Sequence, residues 1–199
     1  MQSDKNKSIS IEEAADQVKV IAIRLALMHL SYARTLVDEL GKDKAKKIII
    51  KSIMEYGRMV GERIKDGEQD LPHYGLHDSY SYKDAEFLDT RDITPGQTEN
   101  MDWDVFKVHG CVLSQIFKEY DEEELGRLYC YVDSAKSMAA DPSQKLIHTA
   151  CEVCGDDHCA FSSLPASEEE VQMFYNKDLN WKDVDPVLDK HNHSKPNQY

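Results

Sequence analysis

Two long apolar stripes at helical spacing stand back to back near the start of the chain, with a single glycine between them. The first can begin at Ser10, which caps a helix with Glu13 three residues on. It runs through Val18, Ile21, Leu25, Met28, Leu36 and Leu40 until Gly41 stops it. The second, over residues 43–65, carries Ala45, Ile48, Ile49, Ile53, Tyr56, Val60 and Ile64 at the same period. Two adjacent helices joined by so short a turn imply a helical hairpin. Gly57 and Gly61, four residues apart, lie on one helix face and predict the close approach of another backbone there.

Over residues 67–100 the periodicity disappears. Gly, Pro, Asp, His and Tyr dominate a stretch too long for a passive connector in a compact domain. His73, Tyr74, His77, Tyr80 and Tyr82 are candidates for a lid over a pocket, and aromatic residues packed on the surface are the plainer alternative. Residues 103–108 (WDVFKV) alternate like a half-buried strand, and residues 112–120 read as a helix with Cys111 at its amino-terminal end. A thiol placed there would feel the positive end of the helix dipole, which favours thiolate. A further helix begins in the acidic run at 121–124 and carries Leu125 and Leu128 towards Tyr129-Cys130-Tyr131. Residues 146–153 (LIHTACEV) and 160–164 read as antiparallel strands joined by a turn over 154–158, where Gly and Asp are the expected residues.

The pattern is an α+β fold, with an amino-terminal helical hairpin packed on a carboxy-terminal antiparallel sheet with further helices. A single domain is expected over residues 1–188. The polar segment 189–199 reads as a disordered tail in which His191 and His193 are solvated.

A formal charge of -13 argues against binding the nucleic-acid backbone, which needs a basic stripe to release counterions. The acidic runs at 121–124 and 168–170 read instead as solvated helix faces or helix amino termini. The amino terminus shows no apolar signal core, and no window approaches the ~18 apolar residues of a membrane span. These features predict a cytoplasmic protein with a small molecule as partner, no nucleic acid, no membrane, and a homodimer as the candidate assembly. Five cysteines, an odd number, in a reducing compartment are expected to be thiols that bind, react or pack.

Four of the five, with two histidines and Asp133, fall within residues 129–161. Cys151 and Cys154 form a Cys-x-x-Cys pair. A structural zinc site needs four ligands, so Cys159 and either His148 or His158 would have to complete it. A thioredoxin-type pair should open a helix, whereas this one sits where a strand is expected to run into a turn. In a strand the two thiols would point to opposite faces. His148 would project from that strand near the cluster, either as an acid or ligand or as a hydrogen-bonded core histidine.

The order of Cys111, then Cys130 with Asp133 three residues later, then Gly155-Asp156-Asp157-His158-Cys159-Ala160-Phe161, resembles the L-2-amino-thiazoline-4-carboxylic acid hydrolase family. The resemblance covers residues 105–163, and the hairpin with Gly57 and Gly61 fits the family's amino-terminal half. The closing Gly-Asp-x-x-Cys-x-Phe element is also similar to that of 4-vinyl-reductase-type small-molecule-binding domains, which set helices against an antiparallel sheet. The first resemblance implies a hydrolase opening a cyclic amidine or isothiourea; the second implies a binding or sensory domain without turnover. The hydrolase chemistry needs a nucleophile or activated water at the ring carbon between nitrogen and sulfur, and an acid for the leaving group. On this resemblance Cys130, Asp133, Cys159 and Cys111 are the catalytic candidates, and His148 and Asp156 the substrate-binding ones. Cys130 would attack while Asp133 relays a proton, or Cys111, Cys130 and Cys159 would hold zinc or another metal with its hydroxide. Cys151 and Cys154 fall outside the resemblance and are expected to pack.

Overall fold

The computed structural model describes residues 10–65, 91–98 and 101–189. The candidate lid aromatics at 73–82 and the tail histidines lie outside the described residues.

The hairpin forms as its periodicity predicts. Helix α1 spans Ile11–Leu40, with the Ser10 hydroxyl accepting the Glu13 N–H at 3.1 Å. It ends at Gly41, whose φ of 75° few other residues adopt without strain. Helix α2 (Lys42–Lys65) runs back along it. One expectation fails here. The stretch Ala15–Leu40 is long and apolar enough to cross a membrane by length and composition, with a mean hydropathy of 1.4. Lys19, Arg24 and Arg34 interrupt it, so no uninterrupted apolar run appears, yet the averaged stretch is apolar. Here α1 packs against α2 and the next helix, α3 (Val112–Glu119).

After α3 come α4 (Glu123–Gly126), a 3-10 turn (Arg127–Cys130) and α5 (Tyr131–Ala140). The acidic run supplies the first turn of α4, as expected. Glu122 pairs with Arg34 of α1 at 2.7 Å, and Glu124 pairs with Lys42 and Lys46 of α2. Gly126 is required by its neighbour, since a Cβ there would lie 2.2 Å from the Phe117 ring.

Helix α5 joins the two halves of the molecule, packing on α2 and on the sheet strand β3. The two glycines of α2 make the first contact. A Cβ on Gly57 would sit 2.7 Å from the Ala135 Cβ and 2.8 Å from the Val132 carbonyl, and one on Gly61 would sit 2.3 Å from the Lys136 carbonyl. The close approach read from their spacing is therefore real, and the backbone approached is that of α5.

The sheet is antiparallel, in the order β1-β2-β4-β3, built from β1 (Arg91–Thr98), β2 (Met101–Val108), β3 (Gln144–Ala150) and β4 (Cys159–Pro165). β2 and β4 fall where strands were expected from the sequence, over 103–108 and 160–164. β1 falls in the stretch read as aperiodic. It holds Pro95, which has no N–H to donate, and it lies at the sheet edge, where that loss is tolerated.

The expected strand over 146–153 is corrected. β3 starts earlier and ends at Ala150, and Glu152–Cys154 form a 3-10 turn. Local bonds cause the change. The Cys151 carbonyl accepts from the N–H groups of Cys154 (2.9 Å) and Asp156 (3.3 Å), while the Cys151 N–H donates to the Asp156 carboxylate at 2.7 Å. Backbone groups that would have extended the ladder are thus used in curling the chain. Helix α6 (Glu168–Asn176) follows with a complete capping box between Ser167 and Glu170, which places the acidic run 168–170 at a helix start. Helix α7 (Trp181–Val184) and a last 3-10 turn (Pro186–Asp189) close the core formed by Phe117, Leu128, Tyr131, Met138 and Leu188.

Candidate active site

Three elements deliver the reactive groups to one place. Cys130 sits at the junction of the 3-10 turn with α5, half-buried, and Asp133 lies in the first turn of α5. His148 projects from β3 and Cys151 follows the end of that strand, both fully buried. The Cys130 thiol, a His148 ring nitrogen and the Cys151 thiol all lie within 4.8 Å of one another.

His148 is held from behind. Its Nδ1–H donates to Asp185 Oδ2 at 2.7 Å, and its backbone N–H donates to the same oxygen at 3.1 Å. The Ser134 hydroxyl bonds the Leu146 carbonyl at 2.6 Å and lies 3.3 Å from that oxygen. Asp185 is wholly buried, and its second oxygen, Oδ1, has no hydrogen-bond partner among the described residues. The ring also packs on Phe161, with centroids 4.4 Å apart. Burial works to lower the His148 pKa, and the Asp185 carboxylate outweighs it, so the net direction is upward. With Nδ1 engaged, Nε2 faces the other way and lies 3.9 Å from Asp133 Oδ2. Asp133 keeps 24% of its side chain exposed, and Lys136 Nζ bonds its other oxygen at 3.0 Å. Of the two readings of His148 made from sequence, the structure shows the hydrogen-bonded core histidine.

The five thiols form one connected set, and all are free. Cys130 donates to Cys151, and burial adds to that bond in holding the Cys130 thiol protonated. Cys111 donates to Cys159, and this bond, with burial and the nearby Glu152 carboxylate, pushes Cys111 up. That corrects the thiolate expected from its place at the start of α3. The helix end instead offers the Cys111 backbone N–H to Glu152 Oε2 at 2.9 Å. Cys159 is lowered by the bond from Cys111 but raised more by Cys151 and burial, to about 12. Cys154 is lowered by its bond with Cys151.

Cys151, which the sequence reading assigned to packing, is therefore the hub that touches Cys130, Cys154 and Cys159. The Cys-x-x-Cys thiols meet because the 3-10 turn removes the strand alternation that would have separated them. Cys111 and Cys159 pair with each other. Among the described residues the metal-competent convergence is Cys130, His148 and Cys151, in place of the expected Cys111, Cys130 and Cys159. Asp156 is exposed, and its carboxylate closes the turn on Cys151. An open groove of about 800 Å³ lies between Pro142, Ala166 and Tyr175, and no cluster residue lines it.

Two supporting residues, Asp185 and Ser134, were not anticipated. Asp185 lies 37 residues from His148 in sequence, and nothing in its local run marks it. Comparison with curated proteins and with solved structures gives no significant match. The sequence model of the L-2-amino-thiazoline-4-carboxylic acid hydrolase family matches residues 21–162, a span that holds all five cysteines, Asp133 and His148. The match extends well beyond the 105–163 resemblance, takes in most of the hairpin, and covers more than half of the chain, which therefore belongs to the L-2-amino-thiazoline-4-carboxylic acid hydrolase family.

Proposed function

We propose that this chain is a hydrolase that opens a small cyclic amidine or isothiourea, with a 2-amino-thiazoline carboxylate as the substrate its family's name points to. A reducing, cytosolic setting that keeps the five cysteines as thiols suits this chemistry. Water must add to the ring carbon between nitrogen and sulfur. Collapse of the tetrahedral intermediate then breaks the carbon–sulfur bond, freeing a thiol and leaving a urea, or the carbon–nitrogen bond, freeing an amine and leaving a thiocarbamate.

The observation that carries the reading is the meeting of Cys130, Asp133 and His148, from α5 and β3, at the partly exposed edge of an otherwise buried cluster. In this reading the attacking oxygen is activated at the Cys130–His148 edge. Asp133 carries the proton between the leaving atom and solvent, its carboxylate aimed by Lys136 at 3.0 Å. Asp185 holds the His148 ring with Nε2 turned outward, so the orientation needed at the reacting atom is set before substrate arrives.

The test is turnover of 2-amino-thiazoline-4-carboxylate, followed by release of thiol or amine, with thermal melting measured alongside. Asp133→Asn should lower kcat by ~10²-fold or more at an unchanged melting temperature. Equal turnover in variant and wild type would remove Asp133 from the mechanism. Tight binding of the heterocycle without turnover in the wild type would turn the reading to a ligand-binding domain.

A further inference from the structure

We propose that Cys130 Sγ, Cys151 Sγ and His148 Nε2 bind one zinc ion, leaving a fourth position open on the Asp133 side. A tetrahedral Zn²⁺ with these ligands needs donor separations of about 3.6–3.8 Å, from Zn–S near ~2.3 Å and Zn–N near ~2.05 Å. The two thiol sulfurs and a ring nitrogen of His148 already stand within 4.8 Å of one another, about 1 Å more than such a site needs. Thiolate with imidazole is a donor set that suits zinc and disfavours the hard cations magnesium and calcium.

The support behind the histidine is that of a metal ligand. A ligating imidazole needs its outer nitrogen unprotonated and its ring fixed, which a carboxylate on the inner nitrogen supplies. Asp185 does this for His148, and its oxygen is itself aligned by the His148 backbone N–H, with the Ser134 hydroxyl 3.3 Å away. A second observation points the same way: Asp185 Oδ1 is buried with no hydrogen-bond partner among the described residues. A cation on the far side of the ring compensates that carboxylate across the imidazole. Binding displaces the thiol protons of Cys130 and Cys151 to solvent, so Zn²⁺ and two thiols give a neutral dithiolate site and two released protons. Cys159 touches Cys151 as well as Cys111, but neither Cys159 nor Cys111 is among the three convergent donors.

Ion binding stands apart from the proposed activity, whereas a catalytic role for the open position rests on that reading. The test uses the full chain, reduced, stripped with a chelator and titrated with Co²⁺ and then Zn²⁺. One Co²⁺ per chain should bind with thiolate-to-metal charge-transfer absorption, be displaced by Zn²⁺, and release about two protons. Cys130→Ser should weaken binding and diminish the charge-transfer band, Asp185→Asn should weaken binding ~10–100-fold with the band retained, and Cys111→Ser should change neither. Because the buried variants can lose fold, alkylation of the wild type mapped by mass spectrometry is the second measurement. Zn²⁺ should protect Cys130 and Cys151 and leave Cys111 no less reactive. Absence of the charge-transfer band, or loss of binding in Cys111→Ser with retention in Cys130→Ser, overturns the site. Full turnover by stripped protein would refute the ion's catalytic role and spare the hydrolase reading; bound zinc with no turnover would spare the ion site and refute the hydrolase reading together with the catalytic role that rests on it.

Discussion

Replacing Gly61 by alanine adds one methyl group at the tightest point between α2 and α5, and the structure fixes the sign of the result. The new Cβ would lie 2.3 Å from the Lys136 carbonyl oxygen and 2.6 Å from the Ala139 Cβ. Carbon contacts are comfortable only from about 3.5 Å, so more than ~1 Å must be found. The atom in the way at 2.3 Å is backbone, which cannot rotate aside, so the helices must separate. Overpacking of this kind costs ~1–3 kcal/mol, and the backbone partner puts Gly61→Ala near ~3. Alanine returns ~1 kcal/mol through helix propensity, leaving a net loss of ~2 kcal/mol. For a chain of this size that is a drop in melting temperature of ~4–8 °C. Urea and thermal unfolding measure it, with Ser52→Ala on the exposed face of the same helix as control; the control should gain a few tenths of a kcal/mol. A Gly61→Ala protein stabilised like the control would refute the close approach of the two helices.

Gly57→Ala should damage function more than Gly61→Ala at similar cost in stability, because its Cβ meets the Val132 carbonyl at 2.8 Å, next to Asp133; turnover compared at matched fractions folded checks this. Glu124 should stabilise the contact of α4 with α2 in a pH-dependent way. Burial raises its pKa, but the ammonium groups of Lys42 and Lys46 outweigh burial and hold it at about 2. A carboxyl depressed on folding contributes stability that is present above the ordinary glutamate range and lost as pH falls towards 2, so the stability gap between wild type and Glu124→Gln should shrink between about pH 5 and pH 2 in urea melts. Ser167→Ala breaks both bonds of the capping box on α6 and should cost ~1 kcal/mol, while Ser167→Asn should retain most of the stability; paired thermal melts decide.

The hairpin was legible because its stripes keep one period over many turns and Gly41 breaks them. The spacing of Gly57 and Gly61 further implied a neighbouring backbone, though not which one. Helix α5 was hidden for a physical reason. Tyr131, Val132, Ser134, Ala135, Met138 and Ala139 are all buried, so it lies between α2 and β3 with apolar residues around most of its surface and no clean stripe to read. β1 was missed because a strand carrying Pro95 and Gly96 owes its extension to pairing with β2 more than to its own pattern.

In the site, Cys130, Asp133 and His148 could be picked out as residues, but their meeting could not, because it depends on how α5 crosses β3. Cys151 was assigned to packing because it falls outside the resemblance, and its separation from Cys154 rested on a strand that the bond from its N–H to Asp156 curls away. Asp185 reaches His148 only through the folding back of α7, a tertiary event with no local signature.

The central claim is that ring opening by water occurs at the Cys130–His148 edge. The most direct measurement is conversion of 2-amino-thiazoline-4-carboxylate in water enriched in heavy oxygen, by wild type, Cys130→Ser and His148→Gln, with circular dichroism confirming fold. The account predicts a ring-opened product carrying one solvent oxygen from the wild type, and a fall of ~10²-fold or more in both variants. Undiminished turnover in both folded variants, or a wild-type product without solvent oxygen, would contradict it.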